Sequence, residues 1–93
     1  MKKAKTSLRE LLNITPEERA EARLSFQISN RLNELMQKKG MTKKQLADAI
    51  GKRPSEVTRW LSGEHNFTIS TLSMLGKFFG EPIISVPDFN IFY

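Results

Sequence analysis

Between positions 38 and 59 stand Lys38, Lys39, Lys43, Lys44, Lys52, Arg53 and Arg59, opposed only by Asp48 and Glu56. That segment carries the whole net excess of +5. Lysine and arginine donate hydrogen bonds and accept none, so cations gathered in this way hold anions rather than abstract protons. Among them lie Ser55, Thr58 and Ser62, whose hydroxyls both donate and accept. The residue types needed for covalent or metal chemistry are missing. A chain with no cysteine has no disulfide, iron–sulfur cluster, thiol nucleophile or cysteine-held zinc. One histidine, His65, cannot build a histidine metal site alone and reads as a solvated loop residue, with a phosphate contact as the lesser alternative. Glu17, Glu18 and Glu21 fall in the first turns of a predicted helix, where the helix dipole favours negative charge, and are not read as an acid–base pair. No nucleophile–base pair and no phosphate-cradling glycine loop is visible, so neither an enzyme nor a cofactor is expected.

The elements that must position these residues are marked by capping chemistry. Ser7-Leu8-Arg9-Glu10 predicts a short helix whose apolar side is Leu8, Leu11 and Leu12. Thr15-Pro16-Glu17-Glu18 starts a second helix, with Leu24, Ile28, Leu32, Leu35 and Met36 at helical spacing and Gly40 as its stop. Thr42-Lys43-Lys44-Gln45 opens a third, with Leu46, Ala47 and Ile50 on one face, ending at Gly51. Pro54 suits the first position of a fourth helix running to Ser62, and Gly63 closes it. Thr68 caps a fifth, with Ile69, Leu72, Leu75 and Phe79 inward and Gly80 at its end. Ile83-Ile84-Ser85-Val86 is β-prone and precedes an irregular tail. The fold class is therefore all-α: a domain of about four to five helices, an extra N-terminal helix and a short C-terminal β-strand. Residues 1–27 read as an extension and the start of the long helix, 28–80 as the functional domain, and 81–93 as strand and tail.

Residues 42–62 have the proportions of a helix-turn-helix. Leu46, Ala47, Ile50, Val57, Trp60 and Leu61 are the predicted lock between its two helices. With those positions turned inward, Ser55, Thr58, Arg59 and Ser62 follow one another three or four positions apart on the opposite face. A ridge of short polar side chains with one long cation fits a major groove about 12 Å wide.

Gln45-Leu46-Ala47-Asp48-Ala49-Ile50-Gly51, Val57-Thr58-Arg59-Trp60-Leu61-Ser62-Gly63 and Thr68-Ile69-Ser70-Thr71-Leu72 together resemble the phage-repressor-type (XRE) helix-turn-helix family, whose fold is that of lambda repressor. The resemblance covers about residues 28–80. It implies sequence-specific binding to double-stranded DNA by a dimer, with the 54–62 helix in the major groove. Matched to the family's pattern, Pro54, Ser55 and Arg59 fall where bases are contacted, and Thr42, Lys43, Arg53 and Asn66 where the DNA backbone is gripped. The exposed ridge adds Thr58 to the base set, and charge and position add Lys44, Lys52 and Ser62 to the backbone set. Two departures shift weight. Pro54 has no hydrogen-bonding side chain, and Arg53 stands where the family places a serine or threonine cap, so base reading leans on Ser55, Thr58 and Arg59. A strand replaces the family's frequent fifth helix, which moves the expected dimer contact to Phe26, Met74, Phe78 and Ile83–Val86.

The composition predicts a cytoplasmic protein, nucleoid-associated when bound to DNA. The apolar runs are far shorter than the roughly 20 residues a membrane helix requires, and the basic N-terminus is not followed by a signal-peptide core. Two functions compete. One is a repressor-like transcriptional regulator. The other is a HigA-like antitoxin, which uses the same core to repress its operon while flanking apolar segments hold a toxin.

Overall fold

The computed structural model of the chain describes residues 14–87 and 89–90. The predicted 7–12 helix lies outside them. In chain order the elements are α1 (Pro16–Lys39), α2 (Lys43–Ile50), α3 (Pro54–Trp60), α4 (Ile69–Phe79), β1 (Ser85–Val86) and β2 (Phe89–Asn90).

Caps explain where most of these begin. The Thr15 hydroxyl accepts the Glu18 N–H at 3.0 Å, and the Glu18 carboxylate accepts the Thr15 N–H at 3.0 Å. Two of the helix's otherwise unpaired donors are thereby satisfied. Thr42 and Gln45 repeat the arrangement at α2, at 3.1 and 2.9 Å. Thr68 caps α4 through the Thr71 N–H at 3.1 Å. Each C-terminal stop at Gly40, Gly51 and Gly80 is left-handed. At Gly51, φ is 71°, and the tight turn into α3 needs a conformation that side chains with a Cβ disfavour.

The core is built from one side of every helix: Ile28, Leu32, Leu35 and Met36 of α1, Leu46 and Ala47 of α2, Val57 and Trp60 of α3, and Leu72, Leu75 and Phe79 of α4. Burying a side chain such as Leu32 contributes roughly 1.5–3 kcal/mol. Helices α2 and α3 pack directly on each other, with Ala47 allowing the close approach. Ile50 and Leu61 are only partly buried at the edge of this lock.

Four expectations are corrected. Leu24 belongs to the α1 stripe by spacing, yet it is 49% exposed, because the core begins one turn later at Ile28. Ile69 is 75% exposed at the first position of α4, beyond the core's rim. Helix α3 stops at Trp60 rather than Ser62. The carbonyl of Trp60, which a continuing helix would bond to the Glu64 N–H, instead accepts from the Ser29 hydroxyl at 2.6 Å. The Glu64 N–H turns to the Ser62 hydroxyl at 3.1 Å. Finally, the β-prone Ile83–Val86 is strand over only half its length. Ile83 is buried in the core, and only Ser85–Val86 is strand, paired antiparallel with Phe89–Asn90 in the segment read as an irregular tail.

Arg31 fastens this C-terminal segment to α1. Its guanidinium donates to the Pro82 carbonyl at 3.1 and 2.9 Å and approaches Glu81 at 3.4 Å, while Lys38 donates to Glu81 at 2.8 Å. The Lys38 hydrogen bond, followed by the charges of Lys38 and Arg31, holds the Glu81 carboxyl below its ordinary range.

Candidate nucleic-acid interface

Helix α3 turns Val57 and Trp60 into the core, three positions apart, and this fixes what the other side presents. Pro54, Ser55, Thr58 and Arg59 are exposed there. The side chains of Ser55, Thr58 and Arg59 make no hydrogen bond to any described residue, so their donors and acceptors are free for a ligand. Ser62 lies in the turn beyond the helix, its oxygen accepting the Glu64 N–H and its hydroxyl proton still available.

Two helix starts carry most of the remaining candidates. At α2 the hydroxyl of Thr42 is engaged as an acceptor, and its proton remains free to donate. The first N–H groups of α2, on Lys43 and Lys44, belong to the set that a helix leaves without an internal partner, so positive partial charge and two ammonium groups coincide. At α3 the cap is different. Arginine accepts no hydrogen bond, so the Arg53 side chain cannot cap, and Glu56 alone reaches back to accept the Arg53 N–H at 3.0 Å. This half of a capping box was legible in Arg53-Pro54-Ser55-Glu56, as glutamate at the third helical position. It leaves the guanidinium of Arg53 uncommitted. Lys52 stands exposed beside it, its N–H bonded to the Ala47 carbonyl at 2.9 Å.

The basic segment divides in the structure. Among the described residues no carboxylate lies within ion-pair distance of Lys39, Lys43, Lys52, Arg53 or Arg59. Lys38 is spent on Glu81 and takes no part in the ridge. Lys44 pairs with Asp48 one turn on at 3.3 Å, an exposed contact worth about 0.3–0.5 kcal/mol that a phosphate readily replaces. Asn66 is exposed but has acidic neighbours. It shares a groove of about 230 Å³ with Glu18 and Glu21 of α1 and with Glu64, surroundings that disfavour a second anion.

One structural contributor was missed in the sequence. Ser29 is a buried polar side chain that donates to the Trp60 carbonyl and accepts the Gly63 N–H at 3.1 Å, tying α1 to the end of α3 and to the loop after it. Its signal was its spacing, since it shares the inward arc with Leu32 and Met36. Gly63 itself has φ of 88° and lies under Phe26, whose Cδ1 would stand 3.2 Å from a Cβ there. His65 lies in the same loop, as its sequence reading expects. Its ring meets Phe67 edge-on at 4.8 Å, and its pKa is lowered, first by burial and then by the charge of Arg59.

Among the described residues no helix is long and apolar enough to cross a membrane. No curated protein and no solved structure matches the chain. The sequence model of the helix-turn-helix family matches residues 32–85, which spans α2, the turn and α3 together with the helices that support them. That match covers more than half of the chain and brings with it the general function of a DNA-binding transcription regulator. The chain belongs to the helix-turn-helix family of the phage-repressor type.

Proposed function

We propose that the chain is a repressor-like regulator that binds double-stranded DNA sequence-specifically, with α3 in the major groove. Ser55, Thr58 and Arg59 read base edges, and Pro54 packs against them without donating. Thr42, Lys43, Lys44, Lys52, Arg53, Ser62 and Asn66 hold the phosphates, Asn66 least firmly because of its acidic neighbours. The observation that carries this reading is the uncommitted polar ridge opposite Val57 and Trp60, together with Lys43, Lys52, Arg53 and Arg59, which have no ion-pair partner among the described residues. Arg59 has a planar fork able to donate twice to guanine, a pairing worth about 1–3 kcal/mol of discrimination, whereas Lys43 at the start of α2 is a point charge suited to phosphate. A dimer is part of the reading, since two such helices would meet half-sites roughly 34 Å apart. Such a regulator acts in the cytoplasm, on the nucleoid.

Binding-site selection with Arg59→Ala and Lys43→Ala tests it. Arg59→Ala is expected to relax one base position in each half-site. Lys43→Ala is expected to weaken all sequences alike and to reduce the salt slope of binding by about 0.9 for each phosphate no longer neutralised. A selected motif unchanged at every position in Arg59→Ala would overturn the assignment of α3.

A second reading, the HigA-like antitoxin, is favoured by one feature. The first half of α1 is exposed from Thr15 to Leu24, and both Leu24 and Phe26 offer apolar surface. A toxin held there would co-purify with the chain from its native host and be lost on Leu24→Asp.

A further inference from the structure

The turn after α3 is tied at several points. The Leu61 N–H donates to the Val57 carbonyl at 3.0 Å, and the Ser62 N–H to the Arg59 carbonyl at 3.2 Å. One residue on, the Gly63 N–H donates to the Ser29 hydroxyl at 3.1 Å, while that hydroxyl donates to the Trp60 carbonyl at 2.6 Å. Ser29 is buried, so the two bonds fasten the exit of α3 to α1. Phe26 stands one turn before Ser29 on α1, and its ring lies over Gly63, with Cδ1 and Cε1 at 3.2 and 3.8 Å from where a Cβ would stand. Gly63 has φ of 88°, so it both takes the conformation that the turn needs and leaves room for the ring. The ring is still 57% exposed. An aromatic so placed adds little to the core, of which it is not a member. What it covers is Gly63. Between the fixed points at Arg59 and Gly63 lies Ser62, whose oxygen accepts the Glu64 N–H at 3.1 Å and whose proton is left to donate.

We infer that Phe26 is a positioning residue for DNA binding: by closing over Gly63 it fixes the turn, and so aims the Ser62 hydroxyl at its phosphate. The inference rests on the DNA-binding reading of α3, with Ser62 as a phosphate contact. Water competes for the hydrogen bond from Gly63 to Ser29, and a ring packed over Gly63 excludes that water and strengthens the bond. With the ring removed, the turn has to be ordered by the duplex itself, and binding is weakened by that ordering. Phe26 acts through Ser62, and a phosphate contact carries no sequence information. The loss is therefore the same for every duplex sequence.

The test uses the full chain, free of any other protein, and a duplex selected from a random pool by the unaltered chain. Phe26→Ala is expected to bind it about two- to tenfold more weakly per bound subunit, the range that ordering one side chain on binding imposes. Phe26→Tyr, which keeps the ring, is expected to restore the affinity. Exchange of the Gly63 N–H with solvent is expected to speed up in Phe26→Ala, whereas the core amide of Leu32 stays protected. The same substitution is then made beside Ser62→Ala. There Phe26→Ala is expected to weaken binding hardly further, because both changes remove one contact. Additive losses, which a lost contact between copies of the chain would give, overturn the inference, as does unchanged affinity in either single variant. A Phe26→Ala chain that fails to fold makes the ring part of the core and overturns it as well. Each of these outcomes leaves the reading of α3 intact, whereas failure of the unaltered chain to select any duplex overturns both.

Discussion

Helix α1 is two structures in one rod. From Ile28 to Met36 it supplies four core residues, and Leu32 is fully buried. From Thr15 to Leu24 it touches so little that every residue is exposed, although a full capping box starts the helix there and Leu24 keeps the spacing of the buried stripe. A helix is thus extended by local chemistry well beyond the point where packing needs it. The rod is about 36 Å long, and roughly half of that length stands clear of the core. The difference teaches that apolar spacing specifies a face, whereas burial depends on what lies opposite that face.

Substitutions along α1 sharpen or break this contrast. Leu32→Ala is expected to cost about 2–5 kcal/mol, the range for a deleted core leucine whose cavity is only partly refilled, measured by denaturant unfolding. A cost below about 1 kcal/mol would mean that the core is not organised around it. Ser29→Ala is expected to cost about 1–3 kcal/mol, because it strands the Trp60 carbonyl and the Gly63 N–H together. It should also weaken DNA binding, since the end of α3 loses its tether; full stability with normal binding would show that the two groups find other partners. Leu24→Ala is expected to stay within about 0.5 kcal/mol. A loss of about 1.5 kcal/mol or more would show that the projecting half is packed, and the contrast between the two halves would collapse.

Most of the fold was legible because its signals are local. Thr15 with Glu18, Thr42 with Gln45, and Thr68 announce their helices within one turn of chain, and the caps lie where they predict. The inward set of the helix-turn-helix was readable for the same reason, since Leu46, Ala47, Val57 and Trp60 repeat at helical spacing and all are buried. The errors share a different cause. Leu24 and Ile69 continue a stripe past the edge of the core, and no periodicity encodes where a core ends. The end of α3 was misplaced because a serine 31 positions away takes the Trp60 carbonyl. Ile83 read as strand by β-propensity, but the Arg31 and Lys38 contacts draw its neighbours Glu81 and Pro82 onto α1 and leave it in the core. Within the candidate site, the exposed side of α3 was legible, whereas the diversion of Lys38 and the acidic surroundings of Asn66 are tertiary facts.

The bond between Ser29 and Trp60 also bears on whether the motif can stand alone. It closes a loop of 31 positions, so it requires α1 and the end of α3 to be held together, and the chain entropy of that closure opposes it. The end of α3 is therefore set by the fold around it and not by its own sequence. An excised 42–62 peptide retains Thr42, Gln45 and Glu56 as caps but has nothing to receive the Trp60 carbonyl. Such a fragment can form helix and carry charge, yet it lacks the fixed exit from α3 that sets where the 63–67 loop stands. Grafting the motif into another scaffold thus requires a hydroxyl on the supporting helix at the place Ser29 occupies.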